Sequence, residues 1–191
     1  LPRESEGQEE YLQVVEAGTS SVQGSIIQAS FGQYQRPTAI QLAQFAATIA
    51  NDGVRMQPQL VDKIVDAEGN VVEELEPKVM SQADNVKQEY LDVVQEGMKL
   101  VASGGTARNL FNNLPHAVAA KTGTSEQLVK GPKRVENAVM VAYYPADDPQ
   151  VAVSVIVPEG GYGSIGAGPI AEKLLELYQK EIMDKQTSDD K

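Results

Sequence analysis

Helix, helix, three strands, helix is the order of elements readable along this 191-residue sequence, and that order predicts an α+β fold with helices packed on an antiparallel sheet. Three observations carry the prediction. A capped segment with apolar residues at helical spacing begins at Thr38. Three short apolar runs after residue 115 are separated by turn residues. A leucine-rich helical pattern then closes the chain after Pro169.

Residues 1–24 are polar and punctuated by glycine, which reads as a loop region with one short helix around residues 9–16. At Thr38 the pair Thr38 and Gln41 forms a capping box after Pro37, and Leu42, Phe45, Ala46 and Ile49 recur at core-helix spacing before Gly53 supplies a C-cap. Residues 60–65, the turn 67–70 and residues 71–75 read as a hairpin, peripheral because its flanks are acidic. A second helix is predicted over 82–102, with Val86, Tyr90, Val93, Val94 and Val101 inward and Gly104 and Gly105 ending it. The run 116–124 follows as a strand. Residues 135–144 and 151–157, joined by a turn with Pro145 and Pro149, complete an antiparallel meander. The last helix places Pro169 in its first turn and presents Leu174, Leu175, Leu177, Tyr178 and Ile182 to the sheet. Residues 1–184 are expected to belong to one domain, and the charged tail 185–191 to be disordered.

Composition excludes several function classes. A net charge of −11 opposes non-specific nucleic-acid binding and docking on anionic membranes. No run of eighteen apolar residues is present to span a bilayer. Without cysteine there are no disulfides or thiolate metal sites, and the single histidine, His116, reads as structural rather than as the base of a triad. No metal or cofactor is implied. His116 reads as structural, beside Pro115 at a strand start.

The chemistry concentrates at Lys121-Thr122-Gly123-Thr124-Ser125. On a strand, Thr122 and Thr124 project to one face and Lys121 to the other. Two hydroxyls on one face can bind a carboxylate, Gly123 lets an extended ligand backbone approach the strand edge, and Lys121 adds positive charge. The bland alternative is a threonine-rich strand with a solvent-facing lysine. Ser125 reads either as a hydrogen-bonding group at the site edge or as a cap for the next turn. Lys130, Lys133 and Arg134 form a basic loop, read as solvated, with contact to an anionic lipid-linked substrate as the alternative. The stretch from Gly161 to Gly166 spells G-x-G-x-x-G. It lacks the following parallel strand and acidic residue that a dinucleotide site requires, so it reads as a flexible strand-to-helix connection at the rim of the site.

Four ordered segments resemble the C-terminal half of the transpeptidase domain of penicillin-binding proteins, whose fold is shared with serine β-lactamases. They are Leu1-Pro2-Arg3-Glu4-Ser5-Glu6-Gly7; then Gln28-Ala29-Ser30-Phe31-Gly32-Gln33-Tyr34 running into Thr38 to Gln44 and Ile49-Ala50-Asn51-Asp52-Gly53; then Gly104-Gly105-Thr106-Ala107; and Lys121-Thr122-Gly123-Thr124. The resemblance is to the large class B enzymes. It implies a D,D-transpeptidase that cross-links peptidoglycan stem peptides through a serine acyl-enzyme and is acylated by β-lactams. Carried over, the Thr122 and Thr124 hydroxyls bind a terminal carboxylate, the Thr124 N–H donates to the oxyanion, and Lys121 stabilises charge and assists a proton relay.

The family uses three motifs, and this chain carries the third. S-x-x-K occurs once, at Ser188-Asp189-Asp190-Lys191 in the charged tail, where no pocket is expected; S-x-N does not occur. The nucleophile, the general base and any membrane anchor are therefore expected on an upstream segment of the same protein, at the extracytoplasmic face of the bacterial cell membrane. A D,D-carboxypeptidase or β-lactamase of the same fold, and a non-catalytic β-lactam sensor or scaffold, are the alternatives.

Overall fold

The computed structural model describes residues 16–18, 21–30, 32, 37–128 and 134–189. Outside them lie Leu1 to Gly7, all but the last residue of the helix expected at 9–16, Lys130 and Lys133, and the end of the tail.

Helix α1 (Val22–Ser30) occupies sequence that glycine and polar residues led us to read partly as loop; Ser21 Oγ accepts from Gly24 N–H at 3.0 Å and starts it. Helix α2 (Ala39–Ala50) begins as expected, with Thr38 Oγ1 accepting from Gln41 N–H at 3.4 Å and Gln41 Oε1 accepting from Thr38 N–H at 2.8 Å. Its C-cap is Asn51; Gly53, at φ +86°, turns the chain two residues later, where a Cβ would meet Ala83 Cβ at 3.1 Å. The helix buries Ala46 and Ile49 but leaves Phe45 exposed.

Strands β1 (Val54–Met56) and β4 (Val79–Gln82) pair antiparallel, and β2 (Lys63–Val65) and β3 (Val71–Glu74) pair beyond them as the expected hairpin. Asp66 closes the tip by accepting from Asn70 N–H at 2.8 Å. The side chains of β2, β3 and β4 are exposed, which is the peripheral position expected.

The second predicted helix needs correction. Helix α3 (Gln88–Ser103) begins six residues later than expected, since Gln82 ends β4, and it buries Leu91 and Met98. Val86, Tyr90, Val93 and Val94, assigned inward from periodicity, are exposed. This segment has two apolar stripes; on the buried one Met98 packs against Ala119 and Tyr143 of the sheet and Leu91 lies beside Gly53. Val101 packs against the core as assigned.

Strands β5 (Ala119–Leu128), β6 (Arg134–Tyr144) and β7 (Val151–Val157) form the expected antiparallel meander in the order β5-β6-β7, with β5 as an edge. β5 starts three residues after His116 and runs further than predicted. One face of the sheet buries Ala120, Ala138, Met140, Ala142, Tyr144 and Val155. The other face packs Ala119 and Tyr143 against Ile49 and Met98 from α2 and α3.

A short helix, α4 (Gly163–Gly166), leads to α5 (Gly168–Tyr178), which has proline in its first turn and covers the first face with Ala171 and Leu175. Of the five residues expected inward, Leu175 is buried and Tyr178 packs at the margin, whereas Leu174, Leu177 and Ile182 are exposed because Gly168, Ala171 and Leu175 form the contact stripe. A π-helical turn (Gln179–Met183) continues the helix, and α6 (Asp184–Asp189) carries it into the stretch from 185 that composition led us to expect disordered; the Lys185 to Glu181 ion pair at 2.6 Å spans the junction. The fold is α+β, as predicted.

Candidate functional site

The register of β5 on β6 fixes where the motif points. Thr122 and Thr124 stand opposite Met140 and Ala138, on the face covered by α5, while Lys121 and Gly123 stand opposite Val141 and Val139 on the other face. Lys121 is exposed, and its ammonium curls back to donate to the Thr122 carbonyl. Backbone groups alternate sides along an antiparallel strand, and this carbonyl takes a partner from outside the ladder. The N–H and C=O of Thr122 and Thr124 therefore face the outer edge of β5, along which no strand pairs among the described residues. The motif's cation and the outward backbone groups of its threonines thus meet at one strand edge, with the two hydroxyls projecting beside it.

Two neighbours frame the hydroxyls. Thr106, in the turn after α3, places its Oγ1 2.8 Å from Thr122 Oγ1. Gly163, the first residue of α4, points its N–H at Thr124 Oγ1 at 3.4 Å. Gly163 sits directly over the ladder between Gly123 and Val139: a Cβ on it would lie 2.5 Å from both carbonyl oxygens. Gly166 is equally tight, its absent Cβ falling 2.3 Å from the Gly160 carbonyl oxygen. The glycine stretch read as a flexible connection is instead a close-packed buttress on the strand that carries the motif.

Ser125 lies on the opposite face from Thr122 and Thr124, where its Oγ accepts from Asn137 Nδ2 at 3.4 Å; Asn137 Oδ1 in turn accepts from Glu159 N–H at 3.1 Å. It belongs to a cross-strand tie. His116 is exposed, its ring 6.0 Å from that of Tyr144, in keeping with a structural role. Among the described residues no group of three or more His, Asp or Glu side chains is placed to hold a metal, and no helix is long and apolar enough to cross a membrane. An open cleft of about 400 Å³ between α2, β1 and the β6–β7 connection, lined by Gln44, Thr48, Asn51, Met56 and Gln150 among others, includes none of the motif residues.

Sequence reasoning found Lys121, Thr122, Gly123 and Thr124 but gave no role to Thr106 or Gly163. The available signals were the Gly104-Gly105-Thr106-Ala107 segment and the density of glycine from 160 to 168.

Comparison with known proteins identifies the family. Residues 1–176 match the family model of the penicillin binding protein transpeptidase domain. The chain is 40% identical over 152 residues to penicillin-binding protein 2A of Bacillus subtilis, covering 74% of this chain and 21% of that protein. It is 31% identical over 172 residues to the peptidoglycan D,D-transpeptidase MrdA of Haemophilus influenzae, covering 82% and 26%. Among solved structures, penicillin-binding protein A from M. tuberculosis, in its ceftriaxone acyl-enzyme complex, superposes with a TM-score of 0.71 at 28% identity, over 80% of this chain and 35% of that one. The chain thus spans between a fifth and about a quarter of the length of the curated relatives cited.

Proposed function

Because the chain belongs to the penicillin-binding protein transpeptidase domain family, we propose that it forms the C-terminal part, residues 1–184, of a D,D-transpeptidase domain that cross-links peptidoglycan stem peptides and is acylated by β-lactams. The observation that carries this reading is the meeting of Lys121, Thr122 and Thr124 at the edge of β5 that carries no strand among the described residues. An extended peptide ending in a carboxylate pairs along such an edge; the Thr122 and Thr124 hydroxyls take its carboxylate, and the outward Thr124 N–H donates to the oxyanion. Lys121 stabilises the developing negative charge. The attacking serine and the base belong to a segment bearing S-x-x-K and S-x-N, motifs that no pocket-forming part of this sequence supplies. That serine forms an ester with the penultimate D-Ala carbonyl, the terminal D-Ala leaves as amine, and an amine of a neighbouring stem peptide then displaces the serine. The proposed location is the extracytoplasmic face of the cell membrane, where the substrate lies, with the anchor outside these residues.

The test is partition of the acyl-enzyme. Given a stem-peptide donor and a saturating amine acceptor, the whole protein is expected to yield cross-linked product by mass spectrometry in preference to hydrolysed donor. Release of D-Ala with hydrolysis alone would replace this reading with a carboxypeptidase.

A further inference from the structure

Thr106 and Thr122 share one short contact, with their hydroxyl oxygens 2.8 Å apart, and geometry alone allows either to be the donor. We infer that Thr106 is a positioning residue for the carboxylate site, donating its proton to Thr122 Oγ1 so that the Thr122 proton is left for the ligand. The inference rests on the transpeptidase reading above and deepens it.

The direction follows from what each group can do. A hydroxyl has a single proton and two lone pairs, whereas a carboxylate only accepts. A Thr122 that spent its proton on Thr106 would meet the carboxylate with lone pairs, which is repulsive. Binding therefore requires Thr122 to accept from Thr106 and donate to the ligand. The second hydroxyl has the same arrangement in fixed form: the Gly163 amide can only donate to Thr124 Oγ1, which frees the Thr124 proton. Each carboxylate-facing hydroxyl thus has a donor behind it, one a backbone amide and the other a threonine.

Thr106 is well placed for this work. Its turn is pinned to the end of α3 by Gly105 N–H donating to the Leu100 carbonyl at 2.9 Å and by Ala107 N–H donating to the Val101 carbonyl at 3.0 Å, and Ala107 is buried. The Thr106 side chain itself is exposed, so changing it removes a hydroxyl without emptying the core.

The experiment uses the whole protein carrying Thr106→Val or Thr106→Ser and compares acylation by benzylpenicillin with acylation by its methyl ester, which lacks the carboxylate. Thr106→Val is expected to slow the acid about ten-fold, the effect of losing one preorganised charge-directed hydrogen bond, and to slow the ester less than about two-fold. Thr106→Ser should restore the acid rate. The acid-to-ester ratio does not depend on how much protein is folded, so a partly unfolded variant still reports. Equal loss on acid and ester, or unchanged acid acylation in Thr106→Val, would overturn the positioning role while leaving the transpeptidase reading intact. An unmodified protein that neither substrate acylates would overturn both.

Discussion

The amide of Gly163 reaches the Thr124 hydroxyl from a position where no side chain fits, directly above the carbonyls of Gly123 and Val139. A methyl group there forces α4 away from β5, since the atoms it meets are backbone and cannot swing aside. Gly163→Ala is expected to lower stability by about 1–3 kcal/mol through overpacking and to slow penicillin acylation. Thermal melting and a fluorescent penicillin measure the two effects; a variant with unchanged melting and labelling would show that the close approach is not needed.

Thr124→Ala removes a hydroxyl proposed to bind the carboxylate but leaves the backbone amide in place. Acylation by penicillin in the whole protein is expected to fall roughly ten-fold to a thousand-fold. Lys121→Ala should be at least as damaging, because a charge disappears along with a donor. Normal labelling of either variant would remove that residue from the site.

Tyr143 lies on the sheet face beneath α2 and α3, and its hydroxyl is buried without a hydrogen-bond partner among the described residues. Burial, reinforced by the carboxylates of Asp52 and Asp147, pushes its phenol up to about 12. The folded value lies above the ordinary one near 10, so the unfolded chain releases its proton first. Stability is therefore unaffected below about pH 10 and falls by about 1.4 kcal/mol per pH unit between there and 12. Tyr143→Phe should flatten this decline in denaturant titrations, leaving the contribution of Tyr144, whose phenol burial also raises. At neutral pH the variant should be at least as stable as the parent, since the lost hydroxyl had no partner. A marked destabilisation there would reveal a bond to that oxygen.

These 191 residues by themselves are expected to form no covalent adduct with penicillin, because no serine among them sits in an S-x-x-K or S-x-N setting within a pocket. The exposed Ile26, Ile27, Phe45, Tyr90 and Val93 should make the isolated chain prone to aggregate. Expression with and without the segment bearing the other two motifs, followed by solubility measurement and mass spectrometry, checks both points. An adduct on the isolated chain would relocate the nucleophile, and a soluble monomer that unfolds in two states would contradict the expected need for a covering segment.

The parts of the fold legible in the sequence were those with a local signature. The Thr38 and Gln41 box, the β7 run at 151–157 and the turn 67–70 each state their own structure in a few residues. What escaped were choices made by partners elsewhere in the chain. α3 carries Leu91 and Val93 on different stripes, and only their tertiary neighbours decide which is buried. β1 and β4 are too short for alternation to show, and their pairing spans more than twenty residues. At the site, the alternation of Lys121, Thr122 and Thr124 followed from strand geometry alone, whereas Thr106 and Gly163 reach it from 16 and 39 residues away, as tertiary neighbours of hydroxyls whose own positions were known.

The ribbon of β1 to β4 leaves and rejoins the body at one place: Gln57 N–H donates to the Lys78 carbonyl at 2.7 Å, and Ala83 N–H to the Gly53 carbonyl at 3.0 Å. Everything between residues 58 and 77 is an excursion whose two ends are already held together. Doubling the length of such a loop adds only about 0.6 kcal/mol to the cost of closing it, so this stretch is the natural place for length to change, or for a foreign segment to be grafted, without disturbing the strand edge that carries Lys121 and the two threonines.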